Sequence, residues 1–237
     1  PRSTLFPYTT LFRSRAGDLS FAPEGGIRFE EDVRLPWFEQ WLKGRDLGLA
    51  QAPPVRYFLM GAKADAAPAR PPIPFGVGWR DSADWPPPGT RPNPFHFHSD
   101  GSLSTAPPEQ EESATTYLHD PAHPVPTIGG NLSAMPLPAG GFDQRGDKRF
   151  PGGVPGLPLA ARADVLCFQT EPLTEDLEIA GPVQVRLFVS STAPDTDFTA
   201  KLLAVLPPTP AFPGGAAINL TDRSEEHTSE LQSPNTI

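Results

Sequence analysis

Imidazole and carboxylate side chains are concentrated in two short stretches that could bind a metal ion. His96 and His98 are separated by one residue, so in a strand both imidazoles would lie on one face. His119, Asp120 and His123 form the second stretch, in which Asp-Pro and His-Pro steps favour a turn. No third ligand is obvious beside the first pair. We therefore expect a polar strand face in the first stretch, a capped turn in the second, and no metal site.

Two other features could carry chemistry, but each has an ordinary structural explanation. Asp195 and Asp197 could bind calcium, yet paired aspartates in a loop more often bond to their own backbone and fix a turn. Cys167 alternates with Val165 and Gln169, and no base is indicated beside its thiol. We expect a turn at the aspartates and a small core or strand residue at Cys167.

The remaining short motifs do not complete a catalytic site. Asn131-Leu132-Ser133 and Asn219-Leu220-Thr221 match the glycosylation acceptor pattern, which carries no weight without a secretion signal. The chain has no Gly-x-Ser-x-Gly elbow, no Walker loop and no dinucleotide-binding fingerprint. We assign no catalytic residue and expect no cofactor.

The composition limits the elements that could position such residues. Proline accounts for 33 and glycine for 21 of the 237 residues, which excludes an all-helical bundle and leaves a β-rich, loop-rich domain or a partly disordered chain. The net charge of −9 argues against nucleic acid as a partner. No apolar run is long enough to span a membrane. One cysteine excludes an internal disulfide. The compartment stays open, with the cytoplasm favoured, and the oligomeric state is not predicted.

One helix is predicted, over Ile27–Lys43. Its apolar residues recur at the spacing of a single buried face. Pro36 should divide it into two pieces or kink it, and Gly44 should end it.

Strands dominate the rest of the chain. They are predicted at Val55–Met60, Phe95–His98, Ser113–Leu118, Val165–Gln169, Leu177–Ser190, Phe198–Leu206 and from Ala216 to Leu220. Leu177–Ser190 shows the clearest pattern, because Val183, Val185 and Leu187 alternate with Gln184 and Arg186. Loops are predicted at Ala62–Pro94, with Trp79 and Trp85 as isolated anchors, at the turn Ser99-Asp100-Gly101, and at Asp120–Pro158.

The two ends of the chain look like translated sequencing-library adapters. Leu11–Ser14 can be encoded by CTC TTC CGA TCT, and the reverse complement of that string encodes Arg-Ser-Glu-Glu, the residues Arg223–Glu226. Paired adapter stems have this complementarity, whereas two ends of a natural protein have no reason to show it. We expect residues 1–14 and 223–237 to be non-natural and both natural termini to be missing.

The remaining sequence resembles the cocaine-esterase/X-Pro dipeptidyl-peptidase family of α/β-hydrolases, in its C-terminal region. The stretches that carry the resemblance are Gly17–Phe21, Arg34–Gly44, Pro54–Gly61, Trp79–Pro88, Pro94–Ser104, Asp120–Asn131, Phe142–Arg145 and Asp164–Pro208. They occur in the family's order and cover nearly all of the sequence between the ends.

The resemblance implies a mainly β fold. Residues 15–50 would be the C-terminal remnant of an α/β-hydrolase domain, and residues 51–222 a partial jelly roll, a galactose-binding-like β-sandwich. It also implies a bacterial-type serine hydrolase that cleaves ester or X-Pro peptide bonds through a Ser-Asp-His triad. The triad would lie upstream of residue 15, so we expect this fragment to be inactive and to fold poorly. A stand-alone carbohydrate-binding jelly roll is the alternative.

Overall fold

The chain is mainly β in the computed structural model, with one α-helix among the residues that the structure describes. The described ranges are 15–21, 25–62, 72–109, 114–130, 138–208 and 213–224. The mainly β class predicted from the sequence is confirmed. The strands form several small sheets and do not close into a barrel.

Nine short strands form these sheets within the described ranges. In chain order they are β1 Arg15–Ala16, β2 Leu19–Ser20, β3 Val55–Met60, β4 Ile73–Pro74, β5 Gly76–Ser82, β6 His96–Phe97, β7 Leu103–Ser104, β8 Thr199–Leu206 and β9 Ala216–Ser224. β2 pairs antiparallel with β1 and parallel with β4. β3 pairs with β5, β6 with β7 and β8 with β9, all antiparallel.

The two longest pairs follow the sequence pattern closely. β3 coincides with the predicted strand, and β8 begins one residue after its predicted start. β9 begins at Ala216 as predicted and continues through Ser224, past the proposed natural boundary at Asp222. β4 and β5 lie in the stretch predicted as loop, so Trp79 belongs to a strand. The loop prediction there was wrong because Gly76 and Gly78 interrupt the apolar alternation that would have marked a strand.

The helical segment is divided as expected. A π-helical turn at Phe29–Arg34 leads into α1, Leu35–Lys43, with Pro36 in its first turn, and Gly44 ends it with φ of 69°. The prediction that the apolar face of this segment is buried was wrong. Gln40 is the buried residue of α1. The large apolar side chains of the segment are exposed instead: Val33, Leu35, Trp37, Phe38, Trp41 and Leu42.

Two hydrophobic cores hold the sheets and loops together. The first unites both ends of the described chain and contains Ala16, Leu19, Phe21, Ile73, Phe75, Ala216 and Ile218. The link between β1 and β2 lies close to the backbone of Gly141, since the amide of Asp18 donates to the Gly141 carbonyl at 2.8 Å. Gly17 has φ of +66°, and a Cβ there would lie 2.4 Å from that carbonyl oxygen, so only glycine fits.

The second core lies in the Gly/Pro-rich connection at Asp120–Pro158 and just beyond it. Ile128, Phe142, Phe150 and Leu159 are buried together, with the rings of Phe142 and Phe150 packed edge to face at 5.0 Å. The connection is an irregular loop, as predicted, but its apolar side chains are packed into a core. Burial of these aromatic rings replaces the regular hydrogen-bond ladder as its source of order.

Three predicted strands are not formed. Residues 114–118 and Val165–Gln169 have no strand pairing apart from an isolated bridge between Ser102 and Gln169. Leu177–Ser190, the clearest pattern in the sequence, has no strand partner among the described residues. Its alternation describes a strand that would be half-buried in a sheet, but the described part of the chain provides no neighbour for it.

Candidate functional site

The predicted histidine pair lies on the β6–β7 hairpin. His96 is opposite Ser104 in the register, and Nε2 of His98 lies 3.0 Å from the Ser104 hydroxyl oxygen, so the three side chains share a face. The turn Ser99-Asp100-Gly101 joins the strands as predicted, with the Asp100 carboxylate accepting from the amide of Ser102 at 2.8 Å. Sequence reasoning missed Ser104, although the hairpin register that follows from this turn would have found it.

Packing on the opposite face fixes the hairpin. The ring of Phe97 lies 4.5 Å from that of Phe168, and the amide of Leu103 donates to the carbonyl of Gln169 at 2.9 Å. Hydrogen bonds from the hydroxyl and amide of Ser102, assisted by the charge of His98, hold the pKa of Asp100 below its usual value.

The second histidine stretch forms the turn that was predicted. Asp120 accepts from Nδ1 of His123 at 2.7 Å and from the amide of Ala122 at 2.9 Å, and the first of these bonds lowers the pKa of Asp120. Arg162 ties this turn to the next stretch: its Nη2 donates to the carbonyl of His123 at 2.7 Å and its guanidinium pairs with Asp164. The hydrogen bonds from Arg162 lower the pKa of Asp164, and the charge of His119 lowers it slightly further.

No group of three or more His, Cys, Asp or Glu side chains in the described ranges is arranged to hold a metal ion. Asp195 and Asp197 are exposed, and Asp195 lies in a bend, as the turn prediction requires. The prediction for Cys167 was wrong, because it is exposed and lies outside any strand. Partial desolvation raises the pKa of its thiol, so the reactive thiolate is disfavoured at neutral pH.

The structure describes only the second of the two glycosylation patterns. Asn131-Leu132-Ser133 lies outside the described residues. Asn219 is buried in β9, where its carbonyl oxygen accepts from the amide of Phe142 at 2.8 Å. A glycan on Asn219 would break this core contact.

The motif Phe142-Asp143-Gln144-Arg145 joins the packed loop to β9. Gln144 is buried, and its Nε2 donates to the carbonyls of Ile128 and Phe142, both at 3.1 Å, and to Oδ1 of Asn219 at 3.2 Å. Asp143 accepts from the amide of Ala217 at 3.0 Å. Both side chains thus hydrogen-bond to the backbone of neighbouring segments, which gives the motif a structural role.

The strongest charge cluster was not foreseen from the sequence. The Arg149 guanidinium donates to both carboxylate oxygens of Asp18, at 2.9 and 3.3 Å, and to Asp147 at 2.9 Å. It also lies over the rings of Phe142 and Phe150, at 5.0 and 5.6 Å from their centres. Bonding to the two carboxylates raises the pKa of Arg149, and Arg149 lowers the pKa of Asp147. We call this set the Arg149 cluster.

A shallow cleft lies beside the second anchor tryptophan. Its volume is about 350 Å³, and its lining consists of Pro87, Pro88, Gly89, Thr90, Arg91, Glu178 and Ala180. Trp85 packs edge to face on Tyr57 at 5.3 Å, and the Tyr57 hydroxyl donates to Glu178 at 3.4 Å. Desolvation, followed by the charge of Glu178, raises the pKa of Tyr57. The cleft contains none of the histidines discussed above.

Among the described residues, none of the helices has both the length and the apolar character needed to cross a bilayer. The side-chain contacts of Gln144 and Phe168 pack loops onto strands. Ser104 and His98 are the described pair whose chemistry most resembles part of a hydrolytic site.

Comparisons with known proteins find similarity to parts of longer proteins. The chain is 40% identical over 194 residues to cocaine esterase of Rhodococcus sp., an alignment that covers 78% of this chain and 28% of that protein. It is 27% identical over 185 residues to proteins named "Putative serine esterase" in Mycobacterium bovis and Mycobacterium tuberculosis, covering 76% of this chain and 24% of each. The chain thus spans about a quarter of the length of these curated relatives.

No solved structure matches the chain. A family model, described as the X-Pro dipeptidyl-peptidase C-terminal non-catalytic domain, matches residues 48–228. The match runs past Asp222, as β9 does, so the natural boundary at that residue stays a prediction. Because the match covers well over half of the sequence, this chain belongs to the family of X-Pro dipeptidyl-peptidase C-terminal non-catalytic domains.

Proposed function

We propose that the chain is the C-terminal portion of a longer serine hydrolase whose Ser-Asp-His triad lies upstream of residue 15. The observation that carries this proposal is the 40% identity to cocaine esterase over 194 residues that form 28% of that enzyme. The matched family's description as non-catalytic supports placing the chemistry elsewhere. The parent protein would take a small ester or an X-Pro peptide as substrate and pass through an acyl-enzyme.

In this proposal residues 15–50 end the α/β-hydrolase domain, and residues 51–222 are part of a jelly roll of galactose-binding-like type. The burial of Leu19 against Ile73 and Ile218 supports a close attachment between these two parts. The exposed apolar side chains of α1, Trp37 and Trp41 among them, support a catalytic portion that covers the helix. Residues 1–14 and 223–237 remain, in the proposal, non-natural.

The pair of Ser104 and His98 has a structural role in this proposal. The Ser104 hydroxyl lies 3.3 Å from the carbonyl of Ala106, which can only accept, so the serine donates its proton there. Nε2 of His98 then donates to the serine oxygen at 3.0 Å. A histidine that donates to a serine cannot remove its proton, so the pair stabilises the hairpin and supplies no general base.

The test measures hydrolysis by the chain alone and by a chimera. The chain alone, and its Ser104→Ala variant, should both hydrolyse p-nitrophenyl acetate and Ala-Pro-p-nitroanilide at the buffer rate. A chimera in which residues 48–222 replace the aligned portion of Rhodococcus cocaine esterase should hydrolyse ester faster than the same enzyme without that portion. The comparison isolates what the non-catalytic domain adds to an existing catalytic part.

Two results would contradict the proposal. Turnover by the chain alone that Ser104→Ala abolishes would place chemistry in the hairpin. Saturable binding of oligosaccharides by the chain, measured by calorimetry, together with a chimera that folds but stays inactive, would favour a carbohydrate-binding module.

A further inference from the structure

We propose that Arg149 is a positioning residue for the catalytic histidine of the parent hydrolase and that it acts through Asp18. The inference rests on the proposed function, in which the triad lies upstream of residue 15. In the nucleophile-elbow arrangement the histidine follows the serine and the aspartate along the chain, so it is the triad member nearest to residue 15. Residues 15–21, named the junction below, come next and contact the proposed jelly-roll portion.

The backbone of the junction is held by two distant parts of the chain. The amides of Ile73 and Phe75 donate to the carbonyls of Asp18 and Ser20, at 2.7 and 2.8 Å. From the other side, the carbonyl of Gly141 accepts from the amide of Asp18 at 2.8 Å. These bonds make the junction a part of the folded domain, so its position is coupled to that of the segments around it.

The Arg149 guanidinium adds a directional contact between side chains. Its Nη1 and Nη2 donate to the two carboxylate oxygens of Asp18, at 2.9 and 3.3 Å. Apolar burial has no preferred direction, whereas a bidentate ion pair fixes both distance and orientation. The Asp18 side chain is 11% exposed, so its end of the pair is largely shielded from water. The pair therefore determines how the junction is oriented relative to the packed loop.

Arg149 is in turn held by its own surroundings. Its Nη2 also donates to Asp147 at 2.9 Å, and its Cζ lies 5.0 and 5.6 Å from the ring centres of Phe142 and Phe150. Both rings are buried in the second core. The guanidinium thus connects this core to Asp18, and through Asp18 to the segment that follows the histidine.

A displaced histidine would slow the reaction, because proton transfer tolerates little change in geometry. In the parent enzyme the imidazole must lie within hydrogen-bond reach of the serine hydroxyl, about 2.6–3.2 Å. A displacement of about 1 Å, caused by a change remote from the reacting atoms, can reduce the rate about 100-fold. We expect loss of the Arg149 side chain to give part of this effect, roughly tenfold, because the backbone bonds of the junction remain.

The test uses a chimera in which residues 15–222 replace the corresponding C-terminal portion of Rhodococcus cocaine esterase. Single-turnover hydrolysis of p-nitrophenyl acetate, with enzyme in excess, gives a rate constant at saturation and a half-saturating enzyme concentration. Arg149→Leu should lower the rate constant roughly tenfold and leave the half-saturating concentration within about twofold. A purely structural role would do the opposite, because unfolded molecules raise the enzyme concentration needed while folded ones react at the normal rate.

Three further variants separate positioning from general packing. Arg149→Lys keeps the charge but not the planar fork, so it should restore part of the rate and lose only about threefold. Asp18→Asn should slow the reaction, and combining it with Arg149→Leu should cost little more than Arg149→Leu alone, because both changes break one contact. Arg145→Leu is the matched control, because Arg145 pairs with Asp143 and the carbonyl of Gly214 and should keep the rate constant within about twofold.

Failure of this inference can be told apart from failure of the proposed function. An active chimera whose rate constant is unchanged by Arg149→Leu, or falls equally in Arg145→Leu, would overturn the positioning role and leave the proposed function intact. A chimera that folds but hydrolyses no ester would overturn the proposed function, and the positioning role with it.

Discussion

Replacing Arg149 by leucine should loosen the first strands from the rest of the fold. Arg149 makes three hydrogen bonds, two to Asp18 and one to Asp147, and it covers the ring of Phe142. Asp18 lies between β1 and β2, whereas Arg149 lies in the packed loop. The substitution removes the cation and the planar fork but keeps an apolar side chain over the aromatic rings. Residues 15–21 would then lose their ion pair with the packed loop.

The magnitude follows from the exposure of the two partners. Removing one member of a buried pair costs about 3–5 kcal/mol, because the other charge is left without compensation. The side chain of Asp18 is only 11% exposed, but that of Arg149 is 47% exposed, so water screens part of the interaction. We therefore expect a loss of about 2 kcal/mol, which is roughly a 30-fold increase in the opening equilibrium of residues 15–21.

Amide hydrogen exchange measures this opening locally. The amide of Asp18 donates to Gly141 at 2.8 Å, and the amide of Ile73 donates to the carbonyl of Asp18 at 2.7 Å, so both report separation of the first strands. Both should exchange roughly 30-fold faster in Arg149→Leu. Arg145→Leu is the matched control, because Arg145 pairs with Asp143 and Gly214 and does not contact residues 15–21.

A double-mutant cycle with Asp18→Asn separates the pair from general packing. The coupling energy between positions 18 and 149 should be about 1–2 kcal/mol, within the range for residues in direct contact. Exchange of the Asp18 amide within about twofold of the parent chain would refute the reasoning, since surface substitutions commonly change stability by less than 0.5 kcal/mol. Equal acceleration in Arg145→Leu would refute it too, by showing global loosening.

Two further predictions concern other polar contacts of the packed loop. Gln144→Leu should destabilise the contact with β9 by about 2–3 kcal/mol, because the buried carbonyl of Ile128 loses the Gln144 donor and that of Phe142 keeps only the longer 3.4 Å bond from the Asn219 amide. Exchange of the Asn219 amide would report this loss. Arg162 lowers the pKa of Asp164, so this carboxylate stabilises the fold above its unfolded pKa, and the contribution is lost as the pH falls through the folded value, below about pH 4. Exchange of the Arg162 and Val165 amides, which donate to the carbonyls of Leu159 and Arg162, should rise over that range, and Asp164→Asn should remove the pH dependence.

The sequence predicted elements whose signals are local. The helix pieces, the stop at Gly44 and the turn at Ser99–Gly101 depend on φ preferences and capping that neighbouring residues determine. β3, β8 and β9 were found because apolar runs there coincide with strands that have partners.

Features that depend on distant contacts were missed. Leu177–Ser190 has the alternation of a strand, but pairing needs a second segment, and its pattern carries no information about whether one is present. The burial of Ile128 and Phe142 follows no period of 2 or 3.6, because an irregular loop positions them. Of the candidate site, the shared face of the two histidines was predicted, whereas the contact with Ser104 and the Arg149 cluster needed the three-dimensional structure.

The packing of the first strands against the last has a consequence for synthesis. Leu19 and Ile218 share a core although about 200 residues separate them along the chain. At translation rates of roughly 5–20 residues per second, Leu19 waits about 10–40 s before its partner leaves the ribosome. A contact so distant in sequence also slows folding itself, since a long loop must close before the core gains energy. During that interval the apolar residues of β1 and β2 are exposed on the nascent chain, where chaperones can bind them.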